Sequence, residues 1–500
     1  MRKLISLLLA LSMLLSLTGA VMAEEVYTLD YYWVGNGDNA VRAEVEEAIN
    51  AYIEPLIGAN VRFHIVGWND WTEKAVNALQ SGEKMDIIFT ADWREYMVEV
   101  SGGLLTPLND LLQEYGKGIL ETLPATFIEG TQVNGINYAV PTNKELCVPE
   151  GVVVNVTAAK EIGWDVTIDD PSIQTLEDLE PWLEKYKELH PDKYPYLMDG
   201  SGGRWPDEPW APDWAGMESN CIAMRMALNE DGTADETIYS IFETEEQEEH
   251  IRLMYKWGQA GYISPDANLT SFDYNGIFGA GDFLCMALPL KGSNIKGAEM
   301  YLANHTTEFE YTEITMQPKY VVTTHSGGSM LGIPVTCKQP GKAMEYINLM
   351  HTDPTLINMM LYGVEGKQWE KTEDGFARLM DNSWYGAHGG AWTIGNTALQ
   401  MVTETEDPQK NELLQAYAAD AIPTPSLGFR FVKDSVANQV SAVTAVIKEY
   451  ANPLSCGVVD PDDPAQGIEA LRTALKDAGI DEILTEVQAQ YDEWKAAKAQ

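Results

Sequence analysis

The sequence predicts an α/β protein with more than one domain. Between residues 26 and 89, three segments rich in β-forming residues alternate with two segments of helical spacing, an order typical of a parallel sheet covered by helices. Further apolar segments begin at residue 151, after a polar stretch at residues 141–145 interrupts the pattern. The chain has 500 residues, more than one hydrophobic core usually holds. We therefore predict two α/β units with a crossing between them near residue 143.

Residues 1–23 have the features of an export signal. Arg2 and Lys3 precede an apolar run at residues 4–17, and small residues lie near a cleavage point at Ala23. The run is short for a membrane span. The first cysteine is Cys147, so a lipid anchor on a cysteine at the cleavage point is not predicted. We expect a protein that is secreted, or held at the cell surface or in a periplasm, without inserting into the membrane.

The charge balance excludes several classes of partner. The chain has 33 Lys and Arg against 76 Asp and Glu, a formal net charge of −43. A field of this sign repels nucleic acids and anionic lipid headgroups, because both are bound through clustered cations. Multiply anionic ligands are disfavoured for the same reason.

The cysteines and histidines predict no metal site. The five cysteines are far apart, with no Cys-x-x-Cys pair and no histidine at metal-ligand spacing. A disulfide framework is not indicated, and buried apolar thiols are the simpler interpretation. We predict no cofactor.

The first predicted unit follows the order strand, helix, strand, helix, strand. Its segments are residues 26–34, 40–57, 61–66, 71–79 and 85–89. In parallel sheets, ligands bind beyond the carboxyl ends of the strands, where the loops meet. At such ends we predict ligand contacts by Trp33, Asn36, Asp92 and Trp93. Asp92 can equally cap a helix that begins at Trp93.

The predicted crossing carries three polar residues. Asn143, Lys144 and Glu145 can reach a ligand once the two units close, although solvation of a hinge explains them as simply. After the crossing we predict a strand at residues 151–156 and helices at 176–189 and 245–260. A β-rich run at 319–324 and residues 330–334 would lead the chain back to the first unit.

Residues 343–369 have the pattern of two helices that present a polar, aromatic loop. Asp353 is placed to cap the second helix. In the loop, Glu365 and Trp369 are predicted ligand contacts. The alternative is an ordinary surface loop in which Glu365 pairs with Lys367. Residues 421–432 and helices at 436–450 and 468–497 complete the chain.

Aromatic residues are abundant, with 14 Trp and 23 Tyr. Pyranose rings stack on flat aromatic faces, while carboxylates and amides bind their hydroxyl groups. For any single tryptophan, packing in the core or at the surface is the simpler explanation. Tryptophans in loops rich in Gly, Pro or Asn stand apart, and from these loops we also select Trp205, Trp214, Trp384 and Trp392 as candidate ligand contacts.

Several segments resemble the solute-binding proteins of bacterial ABC importers, of the large sugar-binding type. The segments GEKMDIIFTAD (82–92), GLLTPLNDL (103–111) and VNGINYAVP (133–141) are similar to parts of the family's first lobe. Residues 329–370 resemble a Firmicutes subfamily with a Tyr-Gly-Ile-Glu-Gly-Lys-type loop, which reads YGVEGK here. Residues 454–460 and 478–494 resemble that subfamily's C-terminal tail.

The resemblance implies a two-lobed, periplasmic-binding-protein-like fold of type II, in which each lobe is a sheet flanked by helices. Lobe 1 would hold residues 24–143 and 333–420, and lobe 2 residues 144–332 and 421–500. A neutral mono- or oligosaccharide would be captured between the lobes by hinge closure and delivered to the permease subunits of an importer. The resemblance also implies a monomer without catalytic activity.

Two other functions stay open at this point. A secreted glycoside hydrolase needs two carboxylates on either side of one bond, and 76 acidic residues supply many candidates. However, the strands do not recur as eight βα units, and neither a G-x-S-x-G nor an H-E-x-x-H motif is present. A peptide receptor of the same fold is the other alternative, because tryptophan-lined clefts also accept apolar side chains.

Overall fold

The computed structural model describes residues 26–35, 40–68, 70–145, 147–198, 222–224, 236–269, 271–290, 292, 295, 309–381, 384 and 390–498. The strands in these ranges are β1 Tyr27–Gly35, β2 Ala59–Gly67, β3 Ile87–Thr90, β4 Gln132–Val133, β5 Ile136–Asn137, β6 Ala139–Pro141, β7 Glu150–Asn155, β8 Ile222–Met224, β9 Ile238–Ser240, β10 Cys285–Pro289, β11 Tyr311–Thr315, β12 Tyr320–Val321, β13 Met330–Gly332, β14 Trp369–Lys371, β15 Ala377–Leu379 and β16 Ile422–Pro423.

The helices surround these strands. The α-helices are Arg42–Ile57, Asn77–Gln80, Tyr96–Ser101, Asn109–Tyr115, Lys117–Thr122, Ala125–Gly130, Val156–Glu161, Glu180–Leu189, Glu245–Gln259, Tyr274–Ala280, Thr323–Ser326, Pro340–Thr352, Pro354–Tyr362, Lys410–Tyr417, Ala437–Val446, Asn452–Ser455, Ile468–Asp477 and Ile480–Lys498. Short 3-10 helices span Leu176–Leu179, Ile241–Glu243, Ala391–Thr393, Thr397–Leu399 and Asp434–Val436, and π-helical turns span Thr72–Val76 and Ile447–Ala451.

The first sheet has five strands in the order β2-β1-β3-β13-β6. Strand β1 runs parallel to β2 over its whole length and parallel to β3 at Tyr31 and Tyr32, so the predicted parallel arrangement is confirmed for these three strands. Strand β13 is antiparallel to both β3 and β6. The short strands β6 and β13 lie where the chain leaves the first sheet for the second and where it returns. For this reason they do not follow the βαβ pattern.

The second sheet has three antiparallel strands in the order β10-β7-β11. The chain passes from the first sheet to the second between β6 and β7, where the sequence predicted the crossing, and it returns between β11 and β13. Strand β13 ends at Gly332 and belongs to the first sheet. The predicted lobe boundaries stay a prediction.

The core of the first lobe lies between its sheet and the helices that cover it. The helix Arg42–Ile57 buries Ile49 and Ile53 one turn apart, and the helix Pro340–Thr352 buries Met344 and Ile347 in the same apolar cluster. The spacing of these residues in the sequence therefore identifies the buried faces correctly.

The predicted cap of the next helix is also present. The Asp353 Oδ1 accepts hydrogen bonds from the backbone N–H groups of Thr355 at 2.8 Å and Leu356 at 3.1 Å. These bonds satisfy donors that have no partner inside the first turn of the helix Pro354–Tyr362.

The C-terminal helices form an apolar cluster of their own. Val443, Leu471 and Ile483 pack in it together with Ile251 from the helix Glu245–Gln259. This helix also comes very close to a following turn, since a Cβ on Gly258 would lie 2.3 Å from the backbone oxygen of Gly457. The C-terminal segment therefore packs on the helix Glu245–Gln259, which lies between β7 and β10 of the second sheet in the sequence.

The described cysteines lie in the interior of the protein. Cys147, Cys285, Cys337 and Cys456 are buried, and burial raises the pKa of Cys147 to about 11 and that of Cys337 to about 12. Over the residues listed at the start of this section, no helix is both long and apolar enough to cross a membrane.

Candidate functional site

Three tryptophans meet at one edge of the first sheet. The ring centroids are 6.3 Å apart for Trp68 and Trp93, 5.7 Å for Trp68 and Trp392, and 6.3 Å for Trp93 and Trp392. Trp93 is 52% exposed, and the other two rings are half-buried. Phe89 packs beside them, with its centroid 6.0 Å from that of Trp392. We call Trp68, Trp93 and Trp392 the tryptophan cluster.

The fold explains why these rings meet. Trp68 directly follows β2, and Trp93 is the third residue after β3. Both strands run parallel to β1, so their carboxyl ends lie at the same edge of the sheet. Trp392 comes from the 3-10 turn Ala391–Thr393. Parallel strand ends thus bring together Trp68 and Trp93, 25 residues apart, and the turn adds Trp392 from about 300 residues further along the chain.

Trp392 is held in place through its neighbour. The hydroxyl of Thr393 accepts a hydrogen bond of 2.8 Å from the indole N–H of Trp33. Trp33 is fully buried and stacks on Tyr31, with the centroids 5.6 Å apart. The core of the first lobe therefore fixes the turn that carries Trp392.

Trp93 is bound to the segment that returns from the second sheet. Its indole N–H donates a hydrogen bond of 2.7 Å to the backbone oxygen of Gly328. The preceding residue is tied to the same place, since the Asp92 N–H donates to the Gly327 oxygen at 2.8 Å. The most exposed ring of the cluster is thus attached directly to a segment that joins the two sheets.

The side chain of Asp92 faces the interior. It forms an ion pair with Arg430, and the two side chains are 2% and 4% exposed. Burial raises the pKa of the Asp92 carboxyl above its ordinary value, and the Arg430 guanidinium opposes this shift. Arg430 also donates hydrogen bonds to the backbone oxygens of Gly130 and Gln132. The predicted cap is not observed, because the next helix begins at Tyr96 with Glu95 at its N-cap position. Ligand contact by Asp92 stays a prediction.

The residues of the crossing are engaged with the segment that follows Trp392. The Asn143 side-chain amide donates to the Asn396 Oδ1 at 2.9 Å, and the Asn143 N–H donates to the Gly395 oxygen at 2.7 Å. Lys144 and Glu145 form a largely buried ion pair of 2.8 Å. These contacts anchor the crossing to the first lobe, and ligand contact by the three side chains stays a prediction.

Three other predicted tryptophans are part of the core. Trp33, Trp369 and Trp384 are at most 5% exposed. The indole N–H of Trp369 donates to the Gly363 oxygen at 3.0 Å, and that of Trp384 donates to the Met360 oxygen at 2.8 Å. Their faces and donors are satisfied inside the protein, so core packing accounts for these three residues, and ligand contact by them stays a prediction.

The loop that contains Glu365 is fastened to a helix of the first lobe. Lys367 pairs with Glu44 at 2.5 Å, and the Gln368 amide donates to the same carboxylate at 2.8 Å. The alternative in which Glu365 pairs with Lys367 is therefore wrong. Glu365 itself is exposed, and no contact places it beside the tryptophan cluster.

Three further predicted ligand contacts lie outside the described residues. They are Asn36, Trp205 and Trp214.

Sequence reasoning missed Trp68 and Arg94. The Arg94 guanidinium lies 5.0 Å from the ring centroid of Trp93 and 5.9 Å from that of Trp68, within the range of cation–π attraction. Trp68 follows a predicted strand by two residues, so the rule that selected Asp92 and Trp93 would also have selected it.

The cluster offers flat apolar faces beside hydrogen-bonding groups. Such a surface suits a ring with an apolar face and polar edges, which is the shape of a pyranose. In the part of the chain that the structure describes, no group of three His, Cys, Asp or Glu side chains could hold a metal ion.

A buried carboxyl close to the cluster predicts a pH effect on stability. Glu99 is fully buried on the helix Tyr96–Ser101, and burial raises its pKa to about 8, with a smaller contribution from Glu95. A raised pKa in the folded state means that the neutral carboxyl stabilises the protein at low pH and that this stability is lost as pH rises toward 8. We expect Glu99→Gln to increase the free energy of unfolding at pH 8 by at least about 1.4 kcal/mol, the equivalent of one pKa unit.

This effect can be measured by urea unfolding of both proteins at pH 5 and pH 8. The gain from Glu99→Gln should shrink toward pH 5, where the wild-type carboxyl is also neutral. The exposed Glu121→Gln serves as a control, which should change the free energy by less than about 0.5 kcal/mol at either pH. An equal effect of Glu99→Gln at both values would contradict the assignment of a buried, titrating carboxyl.

Two family models match the sequence. Residues 42–355 match the model described as bacterial extracellular solute-binding protein, which is more than half of the chain. Residues 425–496 match a model described as a domain of unknown function, DUF3502. The predicted C-terminal tail at 454–460 and 478–494 lies inside this second match.

Known proteins resemble the chain over most of its length. It is 28% identical over 460 residues to a carbohydrate ABC transporter substrate-binding protein of Streptococcus pneumoniae serotype 4, with 89% of this chain and 86% of the relative covered. Its structure is similar to that of the N-glycan transport solute binding protein NgtS from Streptococcus pneumoniae, with a TM-score of 0.80, 26% identity, and 94% and 100% of the two chains covered.

A second structure of NgtS, in complex with Man5GlcNAc, gives a TM-score of 0.72 with 26% identity and covers 94% of this chain and 99% of the other. The predicted two-lobed α/β fold is confirmed by these likenesses.

Proposed function

Since this chain belongs to the family of bacterial extracellular solute-binding proteins, we propose that it is the substrate-binding component of an ABC importer and that its ligand is a neutral mono- or oligosaccharide. The tryptophan cluster carries this proposal, because pyranose rings stack on aromatic faces and ligands of α/β sheets bind at the carboxyl ends of the strands. The names of the relatives support the same ligand class, since the NgtS structures include complexes with Man1GlcNAc and Man5GlcNAc.

A neutral ligand fits the charges around the cluster. The carboxyl of Asp92 is buried against Arg430, and Lys144 is paired with Glu145. The Arg94 guanidinium lies over the rings of Trp93 and Trp68 themselves. A net charge of −43 also opposes the approach of anionic ligands.

Capture by closure of the two lobes is the mechanism that we propose. Lobe 1 comprises residues 26–141 and about 330–420, and lobe 2 comprises residues 150–315 and about 430–498. A sugar ring stacked on Trp93 would lie close to the connecting segment, because the Trp93 indole N–H is hydrogen-bonded to the Gly328 oxygen of that segment. The ligand must bind the closed state more tightly than the open state, since equal affinities would not shift the equilibrium.

The permease subunits of an importer would then receive the closed protein. We propose that the protein acts as a monomeric receptor and that it does not hydrolyse its ligand. A signal segment at residues 1–23 would deliver it to the outside of the cell.

A panel of ligands tests this proposal directly. We expect neutral oligosaccharides to change the intrinsic tryptophan fluorescence and to raise the melting temperature by several degrees, because a ligand at 100 times its Kd adds about 2.7 kcal/mol of stability. Stabilisation by short peptides alone would assign the site to peptides. Release of reducing sugar by the purified protein would identify a hydrolase instead.

A further inference from the structure

A second cavity lies away from the tryptophan cluster. Its volume is about 880 Å³, and it opens between the C-terminal helix Ile480–Lys498 and the loop and hairpin at residues 129–135. Volumes of this size are typical of small-molecule sites. None of the three rings of the tryptophan cluster lines this cavity.

The cavity is built largely by the segment of residues 425–496 that matches the domain of unknown function. Arg430 forms part of its wall, and the same guanidinium pairs with Asp92 next to Trp93. The buried ion pair thus stands between the two sites, so the cavity is separate from the cleft proposed above.

Trp494 supplies an aromatic face to the cavity. Its ring packs against Tyr491, with the centroids 5.7 Å apart, and against Phe429 at 5.8 Å. Gly428 has φ +95°, and a Cβ at this position would lie 3.1 Å from the backbone oxygen of Glu129 and 3.7 Å from the indole. A glycine is therefore needed where the chain passes between the tryptophan and the opposite wall.

Polar side chains lie on the opposite wall and at the rim. Glu129, Asn134 and Glu493 line the cavity, and all three are exposed, so a ligand in the cavity can reach them. The cations are already engaged, since Lys498 donates to the Leu427 oxygen at 3.2 Å and Arg430 holds Asp92.

The charges at the cavity are slightly negative. Glu129, Glu493 and Lys498 line it, and the charge of Arg430 is already balanced by Asp92, so an anionic ligand is disfavoured. A strongly charged ligand would gain little here, whereas a ring with one apolar face and many hydroxyl groups can stack on Trp494 and bond to the carboxylates and the amide.

We propose that this cavity is a second carbohydrate site, which binds a neutral saccharide through Trp494 and the side chains of Glu129, Asn134 and Glu493. This proposal rests on the proposed function of the tryptophan cluster and gives the segment 425–496 a role in ligand binding. A second sugar molecule can occupy it while the cleft is filled.

Isothermal titration with mannotriose, maltotriose and chitotriose tests the second site. For any of these sugars that binds, we expect two binding events in the wild type. Trp494→Ala should remove one of these events and leave the Kd of the other within threefold. Trp93→Ala should remove the complementary event. Because Trp494 also packs against Tyr491, its loss can disturb the helix, so a second variant is needed.

Ala497→Trp is that variant, since Ala497 is exposed and lines the cavity, and a large ring there would fill it. Ala496→Trp is the matched control, because Ala496 is exposed on the same turn of the helix and does not line the cavity. We expect only Ala497→Trp to abolish the second event. A single event that is lost with Trp93→Ala and unchanged by Ala497→Trp would overturn the second site alone. Absence of any sugar binding would overturn the proposed function as well.

Discussion

Replacement of Trp93 by alanine is expected to weaken carbohydrate binding by about 30-fold to 1,000-fold. Truncation of an aromatic residue at the centre of a binding surface typically loses about 2–4 kcal/mol, and each 1.4 kcal/mol is tenfold in affinity. Trp93 is the most exposed ring of the tryptophan cluster and contacts both of the others. Because half of the ring is already exposed, the melting temperature should change by only a few degrees.

Two further variants separate stacking from attachment to the connecting segment. Trp93→Phe keeps an aromatic face but cannot donate to the Gly328 oxygen, and we expect it to lose about tenfold in affinity, as for one hydrogen bond of about 1.4 kcal/mol. Trp182→Ala is the control, since Trp182 stacks on Trp164 at 5.0 Å in the second lobe and should not affect binding. Fluorescence titration of each variant gives the Kd. An unchanged Kd for Trp93→Ala would show that the cleft lies elsewhere.

The largest loss of stability is expected from Arg430→Met. This change leaves the nearly inaccessible carboxyl of Asp92 without its cation and removes the donor from the oxygens of Gly130 and Gln132. Breaking one side of a buried ion pair typically costs about 3–5 kcal/mol. We expect a decrease of that size in the free energy of unfolding, measured by urea denaturation at pH 7.

The dependence of this loss on pH identifies its cause. Without Arg430, the pKa of Asp92 in the folded state should rise further, so the penalty is present at neutral pH and decreases as pH falls and the carboxyl takes up a proton. The double variant Asp92→Asn with Arg430→Met should recover part of the loss. As a control, Arg62 is largely exposed in its ion pair with Asp30, and Arg62→Met should cost about 1 kcal/mol or less. Equal losses for Arg62→Met and Arg430→Met would contradict a buried pair.

The sequence predicts well those features of the fold that depend on the succession of neighbouring strands and helices. Strand, helix and strand recur at regular spacing, and this alone identifies the parallel part of the first sheet and the edge where Trp93 lies. The same rule selected Trp33, which packs in the core. Strand β1 is covered on both faces, since Trp33 lies in one apolar cluster and Val34 in another, so position at a strand end did not indicate whether the side chain is accessible.

Contacts between distant parts of the chain could not be read from the sequence. Asp92 and Arg430 are 338 positions apart, and no local pattern pairs one arginine with one of 76 acidic residues. Trp392 is similar, since its position depends on a hydrogen bond between Thr393 and Trp33 across 360 positions. The loop that contains Glu365 is attached through Lys367 to Glu44, 323 positions away, and ligand contact by Glu365 stays a prediction.

The apolar cluster that joins Ile251 to the C-terminal helices decides how this protein could be turned into a sugar sensor. Truncation before residue 425 would expose the apolar residues of this cluster to water and promote aggregation. The C-terminal segment therefore cannot be replaced by a fluorescent protein. The exposed turn at Glu373 and Asp374, between β14 and β15, is the better point of insertion. A reporter placed there leaves both lobes and their shared packing intact.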